Sequence, residues 1–301
     1  MADPLPAAAG APERCSVLSA ARGESMLGTA FVQPGVLLVE QPGPWGHPGL
    51  RASHFDAAVA AELETRADGA GLRLLAIRRP GRTPDGERRN WALSRGGVLR
   101  WSAFEREEEL LDVALDGSVG TADPDPLYLV CAHSRRDVCC ALRGRPLAAA
   151  LEELRPGRVW ECSHTGGHRF APIVLALPLG ALYGRVPAGA ASEVVAASER
   201  CELLPELLRG VIGYQPVVQA AIGYALTSLG LASVRGFEVV DAVALDAGRW
   251  SVRLAVSGVG YEVLLVVDTV ETPFASCGKP AAKRERRITP TALTRLQRVD
   301  R

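Results

Sequence analysis

The sequence predicts an α/β domain over about residues 14–192, then a small α+β unit over about 197–272. Three observations carry this. At 301 residues the chain is long enough for two domains of roughly 150 residues each. Short apolar runs alternate with stretches of helical spacing up to about residue 190, the signature of strands interleaved with helices. Beyond Pro187 the pattern changes to two helices followed by three strands with tight turns. Hydrophobic residues make up 48% and charged residues 23%, which suits a sizeable core and excludes a disordered chain.

Residues 1–13 are rich in Pro and Ala and read as a flexible tail, as do residues 278–301. Gly35–Gln41 reads as a buried strand closed by a turn at Pro42–Gly46. Phe55–Asp68 has helical spacing, with Ala57, Ala60, Ala61 and Leu63 recurring among Glu and Arg. Leu72–Ile77 is a second strand, Arg82–Arg89 a polar loop and Val98–Phe104 a third strand. Pro126–Cys131 is a short strand that delivers Cys131 at its end. Pro146–Leu154 reads as a helix with proline at its first position, where the missing N–H costs nothing. Val159–Ser163 and Ile173–Leu177 complete the strands of the first domain. Glu202–Leu208 and Pro216–Leu231 then read as helices. Phe237–Leu245, Trp250–Val256 and Tyr261–Val267 read as strands that turn at Asp246–Gly248 and Ser257–Gly260. No internal repeat is evident.

Formal net charge is zero, with 34 basic and 34 acidic residues, so nothing argues globally for nucleic acid or an anionic membrane. The tail from Lys279 to Arg301 carries eight basic and two acidic residues and reads as a solvated end. No run reaches the roughly 20 apolar residues of a membrane span. The nearest, Val217–Val234, is interrupted by Gln219, Thr227 and Ser228. The opening Met1-Ala-Asp-Pro-Leu-Pro has no basic n-region, so the expectation is a soluble, cytoplasmic protein. Lys279 and Lys283 are the only lysines, a bias that reads as codon usage rather than guanidinium chemistry.

Seven cysteines, an odd number in a long chain without a secretory signal, point to reduced thiols for metal binding or redox work. Four of them, with three of the five histidines, fall between Cys131 and His168. One stretch reads Cys131-Ala-His-Ser-Arg-Arg-Asp-Val-Cys139-Cys140, the other Trp160-Glu-Cys162-Ser-His164-Thr-Gly-Gly-His168-Arg-Phe. Thiolate and imidazole are the ligands that soft and borderline metals prefer. His164 and His168 are four apart, but Gly166 and Gly167 between them argue for a glycine-turned loop rather than a helix. The glutamate of a helical zinc-protease motif is absent, Thr165 standing in its place.

These two stretches, with Leu38-Val-Glu-Gln-Pro-Gly-Pro-Trp-Gly upstream, resemble the sucrase/ferredoxin-like family of thioredoxin-like ferredoxins. The likeness covers about residues 14–190. It implies an α/β thioredoxin-like ferredoxin domain holding a [2Fe–2S] cluster, and an iron–sulfur electron carrier with donor and acceptor proteins as partners. In that family the ligand cysteines lie nine positions apart and the histidines four. Carried onto this chain, the implied ligands are Cys131, Cys140, His164 and His168, and Cys139 is a bystander. No paired-carboxylate site supports sugar chemistry.

Other arrangements of the same residues stay open. Cys131 with His133 and Cys162 with His164 form two short Cys/His pairs, faintly like the two loops of a Rieske protein. Two cysteines and two histidines also make an ordinary structural zinc set, which would give a zinc-stabilised interaction module without redox activity. The vicinal Cys139-Cys140 pair is a poor substitute for a thiol-exchange motif. Cys15, Cys201 and Cys277 have no partner nearby in sequence and read as structural, while His47 and His54 read as surface residues. Arg136, Asp137 and Arg169 flank the implied ligands. Glycine-rich phosphate loops are absent.

Two thiolates leave an oxidised [2Fe–2S] site neutral, where four would leave it doubly negative, so mixed ligation raises the potential. Rieske centres lie at about −150 to +300 mV against roughly −400 mV for plant-type ferredoxins. A histidine ligand can lose its second ring proton more easily when the iron is oxidised. The potential is therefore expected to fall by about 59 mV per pH unit above the oxidised-state pKa. A voltammetric titration that stays flat into strongly alkaline solution contradicts histidine ligation.

Overall fold

Six consecutive apolar or covered residues at Gly35–Glu40 can be buried only if both faces of their strand are layered, and the architecture follows from that need. The computed structural model describes residues 14–81, 88–233, 236–272, 276–277 and 282–296. The start at 1–13, the loop at 82–87 and residues 278–281 and 297–301 lie outside the described residues. In chain order come α1 (Cys15–Ala21), β1 (Gly35–Glu40), α2 (Ala57–Gly69), β2 (Leu72–Arg78), β3 (Arg89–Arg95), β4 (Val98–Phe104) and β5 (Thr121–Asp123). β6 (Leu127–Cys131), α3 (Val138–Leu154), β7 (Val159–Cys162), β8 (Val174–Leu177), β9 (Ala181–Tyr183), α4 (Ala191–Glu199) and β10 (Leu208–Val211) follow. The chain ends in α5 (Pro216–Leu229) and β11 (Phe237–Ala244), β12 (Arg249–Val256), β13 (Val259–Thr272) and β14 (Lys283–Arg295).

Ten strands form one mixed sheet in the order β10-β9-β8-β6-β7-β2-β1-β3-β4-β5. Within it the chain follows one path twice. β1 runs parallel to β2 across α2, β3 returns antiparallel beside β1, and β4 pairs antiparallel with β3. β6 runs parallel to β7 across α3, β8 returns antiparallel beside β6, and β9 pairs antiparallel with β8. The halves meet where β2 and β7 pair antiparallel, with Ile77 opposite Cys162. Leu37 and Val39 of β1 pack with Leu63 and Ala67 of α2, while Val36 and Leu38 join the opposite layer with Leu129 and Trp160. The matching split in β6 sends Tyr128 and Val130 toward Leu147 and Leu151 of α3.

The C-terminal strands make a separate four-stranded antiparallel sheet, β11-β12-β13-β14. Helix α5 begins at Pro216 and stops at Gly230, whose φ of 63° is the left-handed conformation that ends helices cheaply. Its Val218, Ala221 and Ile222 share one buried cluster with Leu208 of the large sheet and Val252, Leu254 and Val263 of the small one. Gln219, fully buried on this helix, donates to Tyr214 O at 2.8 Å and accepts from Ala30 N at 3.1 Å. That explains a polar residue inside the most apolar run. Among the described residues, no helix is long and apolar enough to cross a membrane.

Several segments depart from the sequence expectation. Glu202–Leu208 is not a helix; Pro205 lacks an N–H and disfavours helix at Leu204, and Leu208 opens β10, which extends the large sheet past residue 192. Helix α3 starts at Val138, eight residues before the Pro146 expected to open it, because the Asp137 side chain caps it by accepting Cys139 N–H at 2.9 Å. Pro146 lies inside the helix, and Leu142, four residues earlier, is exposed. Part of the tail expected to be flexible, Lys283–Arg295, is strand β14, paired along β13. β3 was not anticipated; its Asn90 donates from N and Nδ2 to Glu40, at 2.9 and 2.6 Å.

Helix α3 approaches β6 through Gly144, where a Cβ would lie 2.3 Å from Cys131 O. Gly144→Ala is expected to push helix and strand apart, at a cost of about 1–3 kcal/mol. An unaltered urea midpoint for the variant contradicts this close approach.

Candidate metal centre

The end of β6, the first turn of α3 and the loop after β7 converge at one place. Cys131 is the last residue of β6 and Cys140 the third of α3, both buried. The sulfurs of both lie 3.9 Å from His164 Nδ1, on the loop after β7. His168 Nδ1 lies 3.4 Å from His164 Nε2, and the two rings stack with centroids 5.1 Å apart. The ligand atoms of Cys131, Cys140 and His164 all fall within 4.8 Å of one another. Three of the four residues singled out as ligands thus meet, drawn from segments up to 33 positions apart, and His168 joins them through its contact with the His164 ring.

Cys131 is the better thiolate of the pair. Hydrogen bonding from the Cys140 thiol, and then from His164, holds its pKa well below the ordinary value despite complete burial. The same contact and burial push Cys140 up, so the two sulfurs share one proton.

The loop is held from three sides. Gly166 and Gly167 have φ of 90° and 71°, the left-handed turn that swings His168 back over His164. Arg209 is fully buried; it donates to Gly166 O at 2.9 Å, to Thr29 Oγ1 at 3.0 Å and to Thr29 O. Burial pushes its pKa down to about 9, so it remains a cation at neutral pH. Arg73 of β2 donates to His164 O at 3.0 Å. His164 also faces a polar surface cleft, shared with Arg73, Arg136, His47 and Ser163. Neither arginine drew attention in sequence, although Arg209 is a lone charge between Leu208 and Ile212, a pattern that marks a buried ion.

The Rieske-like alternative is arranged less favourably. His133 is buried, its Nε2 paired with Gly46 O at 2.8 Å, and it stands edge-on to Trp45. Cys162 sits opposite Cys131 in the parallel register, but burial pushes its thiol pKa well up, as suits an apolar core residue.

A second group lies on the other side of Asp137. Cys15, Cys139 and Cys277 bring their sulfurs together with the Asp137 carboxylate, all within 4.8 Å. The structure therefore sends the adjacent Cys139 and Cys140 to different groups, and it gathers Cys15 and Cys277, which had no partner in sequence. His168 Nε2 stands 3.8 Å from Asp137 Oδ2, between the two. Burial pushes Asp137 up, but the N–H of Cys139, the charge of His168 and donors at Cys277 and Ser276 outweigh it and hold the carboxylate ionised.

Buried Cys/His/Asp groups that can hold a metal ion, carried on a large mixed α/β sheet, define the class of this protein. The chain belongs to the Sucrase/ferredoxin-like family, whose model matches residues 29–210, more than half its length. No curated protein and no solved structure matches it. The matched span holds Cys131, Cys140, His164 and His168 but neither Cys15 nor Cys277.

The two loop glycines provide a graded test. A Cβ on Gly166 meets nothing within 4 Å, whereas one on Gly167 would lie 2.5 Å from Arg209 Nη2. Gly166→Ala is expected to cost about 1–2 kcal/mol, from left-handed strain alone. Gly167→Ala should cost more, because Arg209 must also move. Equal unfolding free energies for the two variants contradict the Arg209 contact.

Proposed function

We propose that Cys131, Cys140, His164 and His168 bind a [2Fe–2S] cluster and that the protein transfers electrons. The observation that carries this reading is the convergence of two buried thiols on His164, with the His168 ring stacked against it. The donor set suits the group: two thiolates and two neutral imidazoles match a mixed-ligand cluster in number and type. Bound there, the cluster supplies a one-electron site whose potential lies above that of an all-cysteine ferredoxin.

The chain's own residues prepare the place. Cys131 offers the thiol whose pKa the Cys140 and His164 contacts hold down. Arg73 and Arg209 bring positive charge toward Cys131, which offsets the cost of a buried anion. Gly166 and Gly167 set the imidazoles, and Arg209 fixes that loop. The cleft beside His164 gives a redox partner access from solvent. The parallel β6–β7 pair joined by α3, with β8 and β9 antiparallel beside it, supports the thioredoxin-like arrangement that the family resemblance implies.

Protein purified without oxygen is expected to be brown and to carry about two irons and two acid-labile sulfides per chain. One zinc and negligible iron after iron-replete expression would overturn the reading. Cys140→Ala and His164→Ala should lose the iron, while Cys162→Ala and Cys139→Ala keep it. Iron lost from Cys162→Ala and retained by His168→Ala would favour the Rieske-like set instead.

A further inference from the structure

We propose that Cys15, Cys139, Cys277 and Asp137 form a second, separate metal site that takes one zinc ion. Three segments far apart in sequence bring the thiols into mutual contact. Cys139 and Cys277 sulfurs are 3.3 Å apart, Cys277 and Cys15 3.5 Å, and Cys15 and Cys139 3.6 Å. A tetrahedral zinc with sulfur ligands at about 2.3 Å holds its sulfurs about 3.8 Å apart. Three nearly equal separations close to that value suit one shared ion. A disulfide would instead bring one pair to about 2 Å and leave the third thiol out.

The fourth corner is the carboxylate. Cys15 Sγ is 3.8 Å from both Asp137 oxygens, against about 3.6 Å for a sulfur and an oxygen on one tetrahedral zinc. Asp137 Oδ2 accepts from Cys277 N and Ser276 Oγ, each at 3.0 Å, and Oδ1 accepts from Cys139 N, at 2.9 Å, and from the Cys15 thiol, whose proton leaves when it binds a metal. A carboxylate offers about four lone-pair positions, so Oδ1 retains one for a metal.

Two of the three sulfurs also accept hydrogen bonds from neighbouring O–H and N–H groups. Ser16 Oγ donates to Cys139 Sγ at 3.3 Å, and Cys15 N donates to Cys277 Sγ at 3.3 Å, the outer contacts that orient ligating sulfurs. Cys139 is the second residue of the 17-residue helix α3, where the helix dipole favours a negative group. Four protein ligands, three of them buried, leave no position for substrate, so the site is structural. It would tie the N-terminal helix α1 and the segment after β13 to the helix that carries Cys140. The inference does not depend on what fills the first centre.

The test counts zinc, offered as zinc salt alone, in the full chain after desalting. The first centre is disabled by Cys131→Ser with His164→Ala. This variant is expected to keep one zinc per chain and to lose it when Cys277→Ser or Cys15→Ser is added. In the unmodified first centre, Cys277→Ser should lower zinc by one per chain and leave iron unchanged. Added zinc should raise the melting temperature of the wild-type chain but not that of Cys277→Ser, a measurement that needs no disabled centre. Zinc content indifferent to Cys277 and Cys15 would overturn the proposal. So would iron lost with Cys277→Ser, or a mass two hydrogens lower that locates a disulfide among the three cysteines.

Discussion

A carboxylate with no exposed surface must be surrounded by donors, and at Asp137 that requirement organises much of the molecule around it. One oxygen caps α3 and fixes where the helix begins, and hence where Cys139 and Cys140 point. The other holds the backbone and side chain of residues 276–277, from a distant part of the chain. His168 stands beside it, so the loop carrying both histidines is set against the same group. Removing the carboxylate would leave a helix start, a long-range chain crossing and an imidazole without their common neighbour.

Much of this could be read from the sequence where the signal was local. The runs at 35–39 and 127–131 declared themselves because strands covered on both faces are apolar throughout, and 72–77 did so with Arg73 as its one charge. The Cys/His spacing from 131 to 168 and the glycine turn between the histidines were equally plain, and the structure brings those residues together. What could not be read depended on distant partners. Cys15 and Cys277 are 262 positions apart, and nothing in either neighbourhood announces the other. Lys283–Arg295 looks like a solvated tail until β13 offers it a full ladder of hydrogen bonds. Pro146 misled because proline marks helix starts more often than it sits inside a helix.

The two halves of the large sheet share a path but not a chemistry. Topology depends on where crossover helices and apolar alternation fall, which many sequences satisfy. Chemistry depends on single side chains at strand ends. β6 ends in Cys131, while β1, at the matching place, ends in Glu40, which is engaged with Asn90. The first half contributes instead through Arg73 of β2, which reaches across to His164 O. One half carries the reactive groups and the other buttresses them.

Strand β14 forms an edge of the small sheet, with one side of its backbone not covered by another strand. Such an edge is a template on which a second copy can add its own strand and begin an aggregate. Here the first five residues of the strand include Lys283, Arg284, Arg286 and Arg287. Two copies meeting edge to edge would bring like charges together before their backbones could pair. The basic run that read in sequence as a solvated end thus places like charges along the open edge, which disfavours strand pairing with a second copy.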